Sequence, residues 1–155
     1  MAQDRGSKRG GRGRDRSQTP VPGRQELEQI IGGDVEKLVT WADSLGRGLA
    51  RNERLTTSQV RGFFGAVRQI EAEVQPGETE LKDTTYRKLM LLKPKLAYQA
   101  QREIDSRKGE GVLRLSEVLA PAIESVGRDA KRFRHFVEFF EAILAYHKAA
   151  GGRES

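Results

Sequence analysis

From residue 25 onward, apolar residues recur every three or four positions, and this helical spacing constrains the fold more than any other feature. No segment alternates apolar and polar residues as a half-exposed strand would, and no internal repeat is present. The sequence therefore predicts an all-α protein, a compact bundle of five or six helices. The last predicted helix covers about residues 128–149. Its apolar face consists of Phe133, Phe136, Val137, Phe140, Leu144 and His147, and it is widened by Phe139, Ile143 and Tyr146 for either core packing or self-association.

Capping residues, glycines and prolines divide the rest of this region into helices. Asp34 can cap a helix that Gly46 and Gly48 weaken toward its end. A later run over about residues 84–106 contains Pro94, which predicts either a kink or the start of a new helix. The helix capped by Asp34 is expected to bury Val35, Leu38, Val39, Ala42, Leu45 and Leu49.

The stretch "LTTSQVRGFFGAVRQIE", residues 55–71, has the strongest helix signals in the chain. Thr56 and Gln59 match the two partners of a capping box, in which each side chain accepts a hydrogen bond from the other residue's backbone N–H. At about 100° per residue, six apolar side chains of this helix fall within an arc of about 120°. We expect that arc to face the core, and it consists of Val60, Phe63, Phe64, Val67, Ile70 and Val74.

The positive charge of the chain is concentrated at its N-terminus. Of the net charge of +6, residues 1–24 carry +5, since they hold seven of the 28 basic residues and two of the 22 acidic ones. The remaining 131 residues carry only +1. The sequence therefore predicts a disordered Arg/Gly-rich tail over residues 1–24 and a helical domain over residues 25–155. Such a tail can contact phosphates or merely solubilise the chain, whereas the folded domain needs a local basic patch to bind nucleic acid.

No set of residues indicates catalysis, a metal or a cofactor. The chain has no cysteine, and its two histidines, His135 and His147, lie about 18 Å apart along one predicted helix. We interpret both as structural histidines at the core edge and expect a protein that is not an enzyme and has no cofactor. The absence of a signal peptide and of an apolar run long enough to span a bilayer predicts a soluble, cytoplasmic protein.

Basic residues on the outer side of the 56–71 helix are candidates for phosphate binding. Arg61 and Arg68 are seven residues apart, which places them on the same side of the helix, and Gly65 lies between them. The small residue leaves room for a phosphate backbone to approach. The alternative is an ordinary solvated surface on which the arginines pair with nearby carboxylates.

Further candidate residues flank this helix and follow it. Arg51 and Arg54 precede its cap, where a helix N-terminus favours anions. On the run that contains Pro94, Lys95 and Arg102 form a second pair seven residues apart. These four residues extend the predicted phosphate-binding set.

Lys93 falls on the apolar side of its helix if that helix continues through Pro94. We expect a kink at the proline to turn Lys93 outward. The alternative is burial of Lys93 against a carboxylate, for which Glu71 is the candidate partner.

Three segments together resemble the small helical subunit of the type III-A CRISPR interference complex, the Csm complex. They are "LTTSQVRGFFGAVRQIE" (55–71), "LMLLKPKLAYQAQR" (89–102) and "FVEFFEAILAYHKAAGG" (136–152), in that order. The resemblance implies a non-catalytic RNA-binding bundle that stacks along the backbone subunits and holds the duplex of crRNA and target RNA. Base pairing would supply the sequence specificity and the protein the phosphate contacts. The RNA-binding residues that it implies are Arg54, Arg61, Arg68, Lys93, Lys95 and Arg102.

Two other functions are compatible with the residues. A DNA-binding helix-turn-helix module would use residues 56–71 as its recognition helix, but the outward positions there are Gly, Ala and Arg instead of the Asn, Gln and Arg mixture that reads base edges. A structural bundle that binds only protein is compatible with the near-neutral charge of residues 25–155.

Overall fold

The computed structural model describes residues 18–155, and that part of the chain contains six α-helices and no strand. Glu80 and Asp129 form an isolated antiparallel bridge between two loops. The predicted all-α bundle is confirmed. None of the described helices is long and apolar enough to cross a bilayer. The helices are α1 (Arg24–Gly32), α2 (Val35–Arg51), α3 (Thr57–Glu73), α4 (Asp83–Asp105), α5 (Gly111–Val126) and α6 (Ala130–Ala149).

Helix α6 forms the centre of the bundle and contacts α1, α2, α3 and α5. Phe63 and Phe64 reach from α3 to Phe140, with ring centroids 5.8 and 5.0 Å away. Burial of each large apolar side chain contributes about 1.5–3 kcal/mol, so this face contributes substantially to stability. Phe139 and Ile143 are part of it, so they serve the core and not self-association. The fully buried phenylalanines of α6 are Phe133, Phe136, Phe139 and Phe140.

Close packing between α2 and α6 depends on Gly46. A Cβ at this position would lie 2.6 Å from the carbonyl oxygen of Ile143 and 2.6 Å from Cβ of Tyr146. Gly48 packs in the same way against Thr19, whose Oγ1 would lie 2.4 Å from an added Cβ. The two glycines therefore allow close approach, and α2 continues through both of them to Arg51.

The predicted apolar face of α2 is partly wrong. Val35 and Val39 are 64% and 44% exposed, respectively. At about 100° per residue, the buried side of α2 is centred between Leu38 and Ala42, and the two valines lie at one edge of it. Gly46 lies at the same edge but nearer the end of the helix, where α6 approaches closely. The residues that α2 buries are Leu38, Ala42, Leu45, Gly46 and Leu49.

Residues 18–24, which were assigned to the predicted tail, pack against the bundle instead. Thr19 is fully buried, and its backbone N–H and Oγ1 donate hydrogen bonds to the two carboxylate oxygens of Glu53, at 2.9 and 2.6 Å. The carbonyl of Thr19 accepts a hydrogen bond from Nε of Arg114 at 2.7 Å. Thr19 therefore belongs to the packed part of the chain. The prediction of disorder for residues 1–17 lies outside the described residues.

Pro94 lies inside α4, which runs as one helix from Asp83 to Asp105. The alternative of a new helix starting at the proline is therefore wrong. Because Pro94 lies on the exposed side of α4, water can reach the nearby carbonyl that has lost its N–H partner.

Candidate nucleic-acid interface

A groove between α3 and α4 brings the predicted Lys95 and Arg102 together in a cavity of about 380 Å³. Two helical turns separate these cations, so both point to the same side of α4. Neither one forms an ion pair with any residue of the described part, 18–155. We call this surface the α3–α4 groove, and the described residues that line it include no carboxylate: Ser58, Gln59, Gly62, Phe63, Ala66, Leu92, Lys95, Gln99 and Arg102.

The groove continues along both helices beyond Lys95. A second cavity of about 260 Å³ shares Lys95, Ala66 and Leu92 with the first and extends to Lys88 and Glu73. Lys88 pairs with Glu73 at 2.5 Å, so the charges at this far end offset each other. Of the cations that line these two cavities, Lys95 and Arg102 are therefore the ones without an ion pair in the described part of the chain, and both line the α3–α4 groove.

A buried polar network lies beneath Gln59 and Gln99, two residues that line the α3–α4 groove. Glu103 is only 3% exposed, and its carboxylate accepts hydrogen bonds from Nε2 of Gln59 at 2.8 Å and from Nε2 of Gln99 at 3.2 Å. Oε1 of Gln59 also accepts a hydrogen bond from the N–H of Thr56 at 2.8 Å, which confirms the predicted capping box. The network links the start of α3 to the end of α4 and so holds the two sides of the groove together.

Next to the groove, the outward face of α3 has little side-chain cover. A Cβ added at Gly62 or Gly65 would have no atom within 4 Å among its described neighbours. Glycine inside a helix costs about 1 kcal/mol relative to alanine, and packing within residues 18–155 gives no reason for it at these two positions. A phosphate chain could approach the helix backbone closely here.

Arg61 lies on this bare face and is exposed. Its charge acts on Glu154 near the C-terminus. The pKa of Glu154 is lowered mainly by a hydrogen bond from Lys148 and by the charge of Lys148, and Arg61 makes a smaller contribution in the same direction. Among residues 18–155, Arg61 forms no ion pair within 4.0 Å.

Arg68 is held by neighbouring side chains. Its Nη1 lies 3.1 Å from a carboxylate oxygen of Glu141 on α6 and 3.5 Å from one of Glu71. The guanidinium carbon is 5.8 Å from the ring centroid of Phe64. The sequence left open whether Arg61 and Arg68 bind phosphate or pair with nearby carboxylates. Arg68 pairs with carboxylates, whereas Arg61 does not within the described residues.

Lys93 points toward α5 and away from the α3–α4 groove. Its Nζ lies 2.7 Å from a carboxylate oxygen of Glu124, and its side chain is 28% exposed. The hydrogen bond from Lys93 is the largest cause of a lowered pKa at Glu124, which burial opposes and Arg24 reinforces. Lys93 is thus half-buried against a carboxylate, as the alternative stated, but its partner is Glu124 and not Glu71.

Arg51 and Arg54 lie at the end of α2, and the predicted anion-binding helix N-terminus beside them is already occupied. The backbone N–H groups of Thr57 and Ser58 donate to the carbonyls of residues 153 and 154, both at 2.9 Å. The C-terminal residues therefore cap α3. Any anion contact by these two arginines must use their side chains alone.

Sequence reasoning did not include Arg107 and Lys108 among the candidate residues. Both line a cavity of about 580 Å³ that Arg54 also lines. They are close in sequence to a glycine, Gly109, which is a signal for a loop. Their proximity to Arg54, more than 50 residues earlier, is set by tertiary packing and leaves no local signal.

The two histidines bond main-chain carbonyls. His147 is 1% exposed, and its Nε2 lies 2.5 Å from the carbonyl oxygen of Leu55. Nδ1 of His135 lies 2.8 Å from the carbonyl oxygen of Ile31. Across the described part of the chain, no cluster of three or more His, Cys, Asp or Glu side chains is arranged to hold a metal ion.

Comparison with protein-family models matches residues 32–153 to the family described as Csm2 Type III-A. The matched range includes the α3–α4 groove and all seven of the predicted basic residues. No curated protein matched the chain. The chain therefore belongs to the Csm2 Type III-A family, the small subunits of the type III-A CRISPR complex.

Proposed function

We propose that this Csm subunit binds RNA without catalysing a reaction, and that it holds the crRNA–target RNA duplex through phosphate contacts in the α3–α4 groove. The observation that carries the proposal is that Lys95 and Arg102 lie on the same side of α4, two turns apart, in a groove whose described lining has no carboxylate. Neither side chain forms an ion pair within residues 18–155. Arginine and lysine bind phosphates through charge-assisted hydrogen bonds. Such contacts position a nucleic acid without reading its sequence.

The other lining groups fit the same ligand. Ser58 and Gln99 offer neutral hydrogen-bonding groups, and Phe63 offers an aromatic surface. The bare face at Gly62 allows a ribose-phosphate chain to come close to α3. The Nε2 groups of Gln59 and Gln99 already donate to Glu103, which ties up the amides that could otherwise read base edges.

The seven predicted residues contribute unequally in this proposal. Lys95 and Arg102 make the principal contacts, and Arg61 extends the positive surface around α3. Arg68 and Lys93 contribute less because their ion pairs with Glu141 and Glu124 must be broken or shared. Arg51 and Arg54 lie at the end of α2 and belong to a neighbouring surface.

Assembly with other subunits uses surfaces outside the groove. Tyr98 is 67% exposed on α4, and Val35 and Val39 are exposed on α2. Two different apolar patches on one chain favour head-to-tail contacts, which generate open stacks. This arrangement supports stacking of copies along the backbone subunits, where neighbouring sites add to the RNA affinity.

Filter binding of single-stranded RNA, duplex RNA and duplex DNA tests the proposal. We expect the double variant Lys95→Ala/Arg102→Ala to bind RNA more weakly, with a salt slope shallower by about 1–2. The matched control is Lys82→Ala/Lys131→Ala, which removes the same charge from two exposed positions away from the groove. Equal RNA affinity for the two variants would contradict the proposal, and a wild type that binds no RNA would favour a bundle that binds only protein. Preferential binding of duplex DNA by the wild type would favour the helix-turn-helix alternative.

A further inference from the structure

A second cationic cavity lies where α2 and α4 end, next to the α3–α4 groove. Its volume is about 580 Å³. The carbonyl of Lys108 on its rim accepts a hydrogen bond from Nε2 of Gln59, at 3.2 Å, and Gln59 also lines the groove. The two surfaces therefore adjoin. We call this second surface the helix-end cavity, and its described lining is Gln18, Asn52, Glu53, Arg54, Arg107, Lys108, Gly109 and Glu110.

Two arginines in this cavity adopt a backbone conformation that favours glycine. Arg54 has φ 56° and Arg107 has φ 59°. Helix α4 ends in a Schellman motif, in which the N–H of Lys108 donates to the carbonyl of Glu103 at 2.9 Å and that of Arg107 to the carbonyl of Ile104 at 3.0 Å. The left-handed position of this motif is usually glycine. Stability alone therefore does not account for arginine there, and strain of this kind concentrates at functional positions.

The cations of the helix-end cavity are available to a ligand. Arg54, Arg107 and Lys108 are exposed and form no ion pair within residues 18–155. Of the two carboxylates that line the cavity, Glu53 is engaged by the N–H and Oγ1 of Thr19. Glu110 is exposed. The described lining therefore holds three cations and two carboxylates, and its net charge is positive.

The Arg/Gly-rich sequence is attached to the rim of this cavity. Thr19 is fixed by Glu53 and Arg114, and Nδ2 of Asn52 donates a further hydrogen bond to its Oγ1 at 3.2 Å. Gln18 lines the cavity directly. Residues 1–17, which continue from it, contain six basic and two acidic residues. Residues 1–17 therefore carry +4 of the chain's net charge of +6, and their covalent attachment at this point raises the local attraction for a polyanion.

We infer that the helix-end cavity is a second RNA-binding site, in which Arg54, Arg107 and Lys108 hold phosphates of a strand that continues from the α3–α4 groove. This inference rests on the proposed function, since it extends the same ligand to an adjoining surface. The planar guanidinium groups of the two arginines suit bidentate contacts with phosphate oxygens. Base identity plays no part, because the lining groups address the backbone.

The double variant Arg54→Gly/Arg107→Gly separates binding from folding. Glycine relieves the left-handed backbone, so we expect an unchanged or higher Tm together with about tenfold weaker binding of single-stranded RNA at low salt. The salt slope should become shallower by about 1–2. The control is again Lys82→Ala/Lys131→Ala in the full-length chain, with Tm measured for every variant.

RNA affinity equal to that of the control, with Tm unchanged or raised, would overturn the inference and leave the arginines with a purely local role. The Lys95→Ala/Arg102→Ala variant identifies which proposal has failed. A loss of binding in that variant alone rejects the helix-end cavity and retains the groove. A loss in Arg54→Gly/Arg107→Gly alone rejects the groove and retains the helix-end cavity as an RNA site.

Discussion

Nε2 of Gln59 on α3 donates a hydrogen bond of 2.8 Å to the buried carboxylate of Glu103 on α4. The same side chain completes the capping box of α3 and donates to the carbonyl of Lys108. One residue thus starts a helix, joins it to its neighbour and fixes the loop that follows. The proposed RNA groove and the helix-end cavity both depend on this junction.

Replacement of Glu103 by alanine is expected to destabilise the protein by about 1–3 kcal/mol. The change removes the acceptor of one N–H of each of the Gln59 and Gln99 amides, and such unsatisfied buried donors are costly. Urea unfolding followed by circular dichroism measures the effect. Glu110→Ala, which removes an exposed carboxylate nearby, is the control and should change stability by less than about 0.5 kcal/mol. Equal midpoints for the two variants would show that the network contributes no stability.

Two glycines of the same bundle are expected to respond to alanine in opposite directions. Gly46→Ala forces a methyl group to within 2.6 Å of the Ile143 carbonyl, so α2 and α6 must separate at a cost of about 1–3 kcal/mol. Gly65→Ala meets open space in a helix and should stabilise the protein by about 0.5–1 kcal/mol. Thermal unfolding of both variants checks the signs. A Tm that rises for Gly46→Ala would contradict the close packing of these helices.

Deletion of residues 151–155 is expected to loosen the start of α3 without unfolding the core. The carbonyls of residues 153 and 154 accept hydrogen bonds from the N–H groups of Thr57 and Ser58. After deletion, the amides of Thr57 and Ser58 should lose their protection from hydrogen exchange, while the amide of Phe140 stays protected. Exchange rates of the two amides that are the same in both proteins would mean that the C-terminal cap does not persist in solution.

The ion pair between Lys93 and Glu124 predicts a pH-dependent contribution to stability. The pKa of Glu124 lies below its ordinary value of 4.5, chiefly because Lys93 donates a hydrogen bond to it. A carboxyl group with a lowered pKa in the folded state stabilises the protein above pH 4.5, and this contribution disappears as the pH falls through the lowered value. Because the pair is partly exposed, solvent screening limits it to about 0.2–1 kcal/mol.

Glu124→Gln should therefore lower the free energy of unfolding at pH 7 and lower it by less at pH 3. Urea unfolding at the two pH values measures the difference. Arg47, which pairs with Asp43 elsewhere on the surface, allows a comparison: Asp43→Gln tests whether any surface pair gives the same result. A loss that is equal at both pH values would show that Glu124 acts through packing and not through its charge.

Signals carried by neighbouring residues predicted the local structure well. The Thr56 and Gln59 side chains lie within one helical turn, so their capping box could be read from the sequence. The same holds for the core face of α6, where the apolar spacing extends over several turns. In these cases the interacting groups are close in sequence, and their geometry follows from the helix alone.

Features that depend on distant residues could not be predicted in this way. The apolar pattern had placed Val35 and Val39 inside, but they are exposed at one edge of α2, whereas Gly46 at the same edge is buried against α6. The donors of the α3 N-terminus are covered by residues almost 100 positions later. Arg54 and Arg107 line the same cavity only because α2 and α4 end close to each other. The sequence therefore predicted individual basic residues of the candidate site, whereas their distribution over separate surfaces became visible only in the structure.

Cross-linking between protein and RNA in the assembled Csm complex is the most direct test of the central claim, which is that the α3–α4 groove holds RNA. The complex, loaded with crRNA and target RNA, is irradiated, and the cross-linked peptides are identified by mass spectrometry. The account predicts cross-links on residues 58–66 of α3 and 92–102 of α4, and their loss in the Lys95→Ala/Arg102→Ala variant. Cross-links confined to α2 or α6, or unchanged by that variant, would contradict it.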